Sequence, residues 1–172
     1  MATSKLHQQF SALDNEVFSA FCESFDNVNW TVNFTDSSDK YCGIDVQLTG
    51  ETRLHRETYD VEIKSVHLST ELDYCFFEAD KWYSLIAFDN EVKLYVVIYP
   101  NLNKIAAWRV NNKLLSNSEI AMLKLKNNTC NGGNAREKKV YKLKLSDAAV
   151  YDFDLKKYKE RFNGLHQQTK QK

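Results

Sequence analysis

An α+β fold is what this sequence predicts, and three patterns predict it. The first is a single apolar stripe at helical spacing near the N-terminus. The second is a set of segments in which apolar and polar residues alternate. The third is a run of eight almost wholly apolar residues, Val92 to Tyr99, which suits a central strand.

Leu6, Phe10, Leu13, Val17, Phe21 and Phe25 recur at steps of three and four, so residues 4–25 read as a helix. Thr3 or Ser4 can cap it, and Asp14 can cap a second segment if the helix breaks near Leu13. Val28, Trp30, Val32 and Phe34 alternate with polar residues as a half-buried strand does. A polar loop follows at 35–40, then a strand over 41–49. In it Ile44, Val46 and Leu48 share one face, and Asp45 and Gln47 share the other. Residues 50–56 link it to a strand over 58–68, where Val61 and Ile63 oppose Asp60, Glu62 and Lys64. A short helix is predicted within 73–88. The strand at 92–99 ends at Pro100, because proline cannot donate to a ladder, and Asn101 to Asn103 turn into another strand at 104–110. Ser116 or Ser118 can cap a helix through Ile120, Leu123 and Leu125. Residues 127–134, rich in Asn and Gly, read as a loop. Residues 138–145 alternate lysine with apolar residues as a basic strand. Asp154 can cap a last helix from Leu155 to Phe162, closed by Gly164, before a frayed polar tail at 167–172.

The length suits one domain with a real core. No run of about 18 apolar residues occurs, so no membrane span is expected. The first residues lack the apolar segment of a signal peptide. Cys22, Cys42, Cys75 and Cys130 form no CxxC pair, which fits free thiols in a reducing cytoplasm better than a zinc site or a disulfide frame. His55 and His67 have no His or Cys partner at ligand spacing. The formal net charge is zero but unevenly spread. Residues 1–100 hold 7 Lys and Arg against 17 Asp and Glu, and residues 101–172 hold 16 against 6. A basic C-terminal half suits contact with nucleic acid, or simply neutralises the acidic half within the fold.

The chemistry gathers on two strands. If they pair with their apolar faces on a core, Asp45, Glu62 and Lys64 converge on the opposite face. Two carboxylates and an ammonium on rigid backbone can hold a divalent cation and orient a water beside a phosphate.

Gly43-Ile44-Asp45 followed by Val61-Glu62-Ile63-Lys64 resembles the PD-(D/E)xK nuclease superfamily, with Ile44 where the family name has Pro. The element order over residues 5–111 is similar to that family's restriction-endonuclease-like αβββαβ core, a mixed central sheet flanked by helices. Residues 112–166 would then be a basic C-terminal β/α extension. The resemblance implies a metal-dependent endonuclease or resolvase, most often acting on DNA, with Mg²⁺ or Mn²⁺ as cofactor. It implies that Asp45, Glu62 and the Ile63 carbonyl bind the cation, that Lys64 serves the attacking water, and that a helical Glu reaches the site. Glu16 is the position mapped to that Glu, with Glu23 as its competitor. Asp60 would be a peripheral ligand or a partner of Arg53 or Arg56, and Gln47 a substrate contact. Lys81 reads as a surface lysine or a substrate contact. Arg53 and Arg56 make a basic tip suited to a phosphate backbone or simply to solvent. Lys138, Lys139, Lys142 and Lys144 suit DNA contact or the protection of a sheet edge. Relatives of this size include Holliday-junction resolvases and phage or mobile-element nucleases, many of them homodimers. The abundance of Asn, Lys and Tyr beside a single Pro fits such a source.

Overall fold

The computed structural model describes residues 5–35, 44–70, 72–126 and 135–170. The proposed caps Thr3 and Ser4, the loops at 36–40 and 127–134, Gly43, Cys42 and Cys130 lie outside the described residues. The described elements run α1 (Lys5–Glu23), β1 (Asn29–Phe34), β2 (Val46–Glu51), β3 (Arg56–Ser65), β4 (Tyr74–Glu78), α2 (Ala79–Ile86), β5 (Val92–Tyr99), β6 (Lys104–Val110), α3 (Asn112–Ser116), β7 (Glu119–Lys126), β8 (Ala135–Lys144), β9 (Ala149–Asp152) and α4 (Lys156–Lys170). Among them no helix is long and apolar enough to cross a membrane.

The strands form two sheets. The larger is mixed, with six strands in the order β1-β2-β3-β5-β6-β9, and the smaller is an antiparallel β4-β8-β7. Strand β3 runs parallel to β5, and the other pairings are antiparallel. A parallel pair needs a long crossover, and the chain between β3 and β5 supplies it with β4 and α2.

The period of two then sorts the side chains. Val46, Leu48, Val61, Ile63, Val96 and Ile98 pack with Leu13, Val17 and Phe21 of α1 and with Tyr158 and Phe162 of α4. Tyr95, Val97, Ala106 and Trp108 point the other way, toward Phe77, Leu85, Leu115 and Leu143. Helices thus cover one face, while the second sheet with α2 and α3 covers the other. The C-terminal residues are woven into this body, since β9 extends the large sheet beside β6 and α4 packs with α1 on its helical face.

Two positions show how single residues fit the strands together. Asn103 has φ 52°, a left-handed conformation that Asn tolerates. Its backbone carbonyl accepts from Phe153 N, and its side chain accepts from Leu155 N at 3.2 Å, tying the β5–β6 turn to the start of the last helix. At Gly50 a Cβ would stand 2.6 Å from the Trp30 ring, so glycine lets that indole lie flat on β2.

Four expectations change. The segment 73–78 is a strand before α2, because Cys75 and Phe77 insert into the core while Tyr74 and Phe76 are half-buried. Residues 119–126 form β7 rather than a helix. Ile120 and Met122 are left about half exposed there, so apolar residues on the outer face mimic a helical pattern. The last helix runs through Gly164 into the supposed tail, as far as Lys170. Helix α1 is continuous across Leu13.

Candidate functional site

The site forms where β2 begins and β3 ends. Val46 pairs with Val61 as the first rung of the antiparallel ladder, and Asp45 stands just before it, close enough to Glu62 for the two charges to act on each other. Two hydrogen bonds fix it there. Asp45 N donates to the Val61 carbonyl at 2.9 Å, and Ile63 N donates to Asp45 Oδ2 at 2.7 Å. The two bonds go to the residues on either side of Glu62 and hold Asp45 beside it. Glu62 is only 6% exposed, and its Oε2 is buried with no hydrogen-bond partner. Burial pushes the Glu62 carboxyl up to about 7. The charge of Asp45 pushes the same way, and Lys81 and Lys64 only partly offset them.

The ammonium groups are interleaved with the acids. Lys81, from α2, sits on Glu62 Oε1 in an ion pair. Burial would lower its pKa, but Glu62, with Asp45 and Glu78 behind it, outweighs that and holds it above the usual lysine value. Lys64 is 3.9 Å from Glu78, whose other oxygen accepts from Lys138 Nζ at 2.6 Å. Glu78 closes β4 just before α2, so the β4–α2 corner delivers both Glu78 and Lys81 to the end of β3.

Helix α1 contributes an acid, and it is Asp14 rather than Glu16. Phe10, Asp14 and Phe18 follow at steps of four, so Asp14 stands within the apolar stripe and points at the sheet. Its Oδ1 is buried without a partner. Burial raises the Asp14 carboxyl to about 7, a hydrogen bond with Ser65 lowers it, and the charge of Asp45 raises it. Glu16 lies on the outer side of α1, where Arg161 of α4 grips both its oxygens at 2.9 and 2.8 Å. That grip is what holds the Glu16 carboxyl below its usual value. Glu16 is therefore corrected from a site residue to a surface brace. Glu16→Ala should change the thermal midpoint little and leave any activity intact, because an exposed pair is worth at most about 1 kcal/mol.

Asp14 carries a pH signature. Its proton is held more tightly in the folded chain than in the unfolded one, so this group favours folding below about pH 4. That contribution is lost as pH rises toward 7. Asp14→Asn should therefore stabilise the protein at pH 8, by up to about 4 kcal/mol, and flatten the fall in stability between pH 4 and 7. Thermal melts across that range measure both effects.

Asp60 shares the face of Glu62 but serves the core. It is fully buried, accepting from Lys93 Nζ at 2.6 Å and from Asn90 Nδ2 at 2.7 Å. Lys93 is its register partner on β5 and also donates to the Phe88 carbonyl. The expected pairing with Arg53 or Arg56 does not occur. Those two arginines are exposed at the β2–β3 hairpin, six residues along β2 from Asp45, which is about 20 Å at 3.3 Å per residue. Gln47 is exposed on β2 opposite Asp60.

The basic strand is divided. Lys138 joins the site through Glu78. Lys142 pairs with Glu119, and with the exposed Lys144 it lines a cavity of about 420 Å³ beside Tyr74, away from the carboxylates. Lys139 lies 5.5 Å over the Tyr141 ring. His67 gains a neighbour that spacing hides, for its ring stacks on His166 at 4.6 Å and 9°. Lone pairs of stacked imidazoles lie in parallel planes, so the two rings cannot converge on one ion.

Among the described residues, no three His, Cys, Asp or Glu side chains cluster as ligands of one ion. What the geometry offers is a pair of hard oxygen donors on adjacent strands, with a buried carboxylate oxygen left bare and three lysines around it. Of the site residues missed in sequence, Asp14 was legible as an acid inside an apolar stripe. Glu78 carries no signal without the β4–α2 corner, and Lys81 is legible only as a surface lysine or a substrate contact, not as the partner of Glu62. The chain matches no protein-family model, no curated protein and no solved structure.

Proposed function

We propose that the protein is a divalent-cation-dependent nuclease that hydrolyses phosphodiester bonds in nucleic acid, with DNA as the first substrate to test. The observation that carries this reading is Asp45 held beside Glu62 by hydrogen bonds to Val61 and Ile63, with the buried Glu62 Oε2 bare and Lys64 two residues on. A bare carboxylate oxygen in a dry, polar corner is costly unless it has a ligand to meet. The donor set is hard oxygen, as Mg²⁺ or Mn²⁺ prefers, and the Ile63 carbonyl is the third donor the sequence motif suggests. A bound cation would polarise the phosphate and lower the pKa of a water.

The chain's own residues do the rest. Asp45 and Glu62 hold the cation at a point the ladder determines. Lys64 is 43% exposed, free enough to reach the scissile phosphate and offset the charge that builds there. Lys138 and the basic residues after position 100 would take the flanking phosphates. Cys22 and Cys75 are free and buried, in keeping with a reducing compartment such as the cytoplasm. Two copies acting together would let one assembly cut both strands.

The experiment is incubation with labelled single-stranded, duplex and four-way-junction DNA, and with RNA, in millimolar Mg²⁺ or Mn²⁺ and again in EDTA. Cleavage only with the cation supports the reading. Binding without cleavage would instead favour a non-catalytic nucleic-acid-binding protein on the same fold. The seating of Lys81 on Glu62 is the observation that speaks for that alternative.

A further inference from the structure

We propose that Lys81 is the placeholder of the cation site: its ammonium occupies Glu62 Oε1 in the cation-free protein, is displaced when a divalent cation binds, and then serves as a contact for the substrate phosphate. This rests on the reading of Asp45 and Glu62 as cation ligands.

The geometry argues for it in three steps. Glu62 and Asp45 are adjacent anions in a poorly solvated corner, where repulsion is strong. Something cationic must stand there if both are to be charged, and Lys81 does so through one oxygen of Glu62 while the other stays bare. An ammonium on Oε1 and a dication on Oε2 of one carboxylate would stand only a few ångströms apart in a poorly solvated corner and repel each other strongly, so the two compete for Glu62.

Lys81 also has somewhere to go. Ala79 and Leu85 anchor α2 in the core, but the Lys81 side chain is 37% exposed at the mouth of the site, and its four-carbon stem can swing outward without moving the helix. Glu78, which is paired with Lys64 and Lys138, lies near enough to act on the Lys81 charge. A phosphate arriving beside the cation would meet the released ammonium together with Lys64. Cation binding would thus create an anion subsite, which gives the order cation first and nucleic acid second.

Calorimetric titration of Ca²⁺ and Mn²⁺ into the wild type, Lys81→Met and Lys81→Gln tests this, followed by fluorescence-anisotropy binding of a labelled duplex in Ca²⁺. Both variants should bind the cation more tightly, roughly tenfold, as loss of a competing ion pair worth about 1.4 kcal/mol implies. They should bind the duplex in Ca²⁺ several-fold more weakly. Unchanged or weaker cation affinity in both variants would overturn the placeholder role and leave the nuclease reading standing. A merely structural lysine would lower the thermal midpoint and leave cation affinity alone, which also overturns it. No cation binding by the wild type or either variant would overturn the nuclease reading itself, and the placeholder with it.

Discussion

Glu62→Gln should abolish cation-dependent cleavage, by about 10³-fold or more on the scale of losing a principal electrostatic element of a site, while leaving the cation-free chain at least as stable at pH 8. The two halves of this expectation have one cause. Glu62 is buried, and burial together with the neighbouring Asp45 makes its charged form costly, as its carboxyl raised to about 7 indicates. The amide keeps the shape and removes the repulsion, at the expense of the ion pair with Lys81. Residues kept for stability rarely behave so. Asp45 supplies the contrast. Asp45→Asn keeps an acceptor for Ile63 N and should lose activity alone, whereas Asp45→Ala orphans that amide and should cost about 1–3 kcal/mol as well. Paired activity assays and urea melts on the three variants separate chemistry from architecture. A Glu62→Gln chain that unfolds easily would mean the carboxylate is structural.

Lys93→Met is the substitution expected to hurt folding most, by about 3–5 kcal/mol, because it strips the counter-ion from a charge that is fully buried. Asp60 would keep only Asn90 as a hydrogen-bond partner, and the Phe88 carbonyl would lose its donor. Asp60→Asn should be damaging in turn. The double variant Asp60→Asn/Lys93→Met should cost less than the two losses added together, since the partners act as a unit. Chemical denaturation of the three proteins measures the coupling. A stable Asp60→Asn that binds cations weakly would instead return Asp60 to the cation site as a peripheral ligand.

These two acids show how far sequence reasoning reaches. Asp60 and Glu62 look alike in sequence, two residues apart on one strand face. Only the β3–β5 register distinguishes them, by setting Lys93 against the first and Tyr95 against the second. The juxtaposition of Asp45 and Glu62 was legible because a period of two and a short hairpin leave little freedom in the pairing. The mapping to Glu16, with Glu23 as its competitor, passes over Asp14 for a physical reason. A carboxylate embedded in an apolar stripe reads as a helix cap by sequence, whereas in the fold it is buried with one oxygen unpartnered near Asp45. Strand β4 was missed because Tyr74-Cys75-Phe76-Phe77 is apolar on both faces and shows no alternation. The β4–α2 corner, and with it the meeting of Glu78 and Lys81 with the end of β3, followed it out of view. Strand β7 was missed for the opposite reason, with Ile120 and Met122 turned outward.

A nuclease site here requires one ion shared between the start of β2 and the end of β3. Crystals grown with Mn²⁺ and measured at an energy where manganese scatters anomalously test it most directly. The prediction is a single strong peak about 2.1 Å from one oxygen each of Asp45 and Glu62, with the Lys81 ammonium moved off Glu62. A peak elsewhere, or none at saturating Mn²⁺ with Lys81 still on the carboxylate, would contradict it.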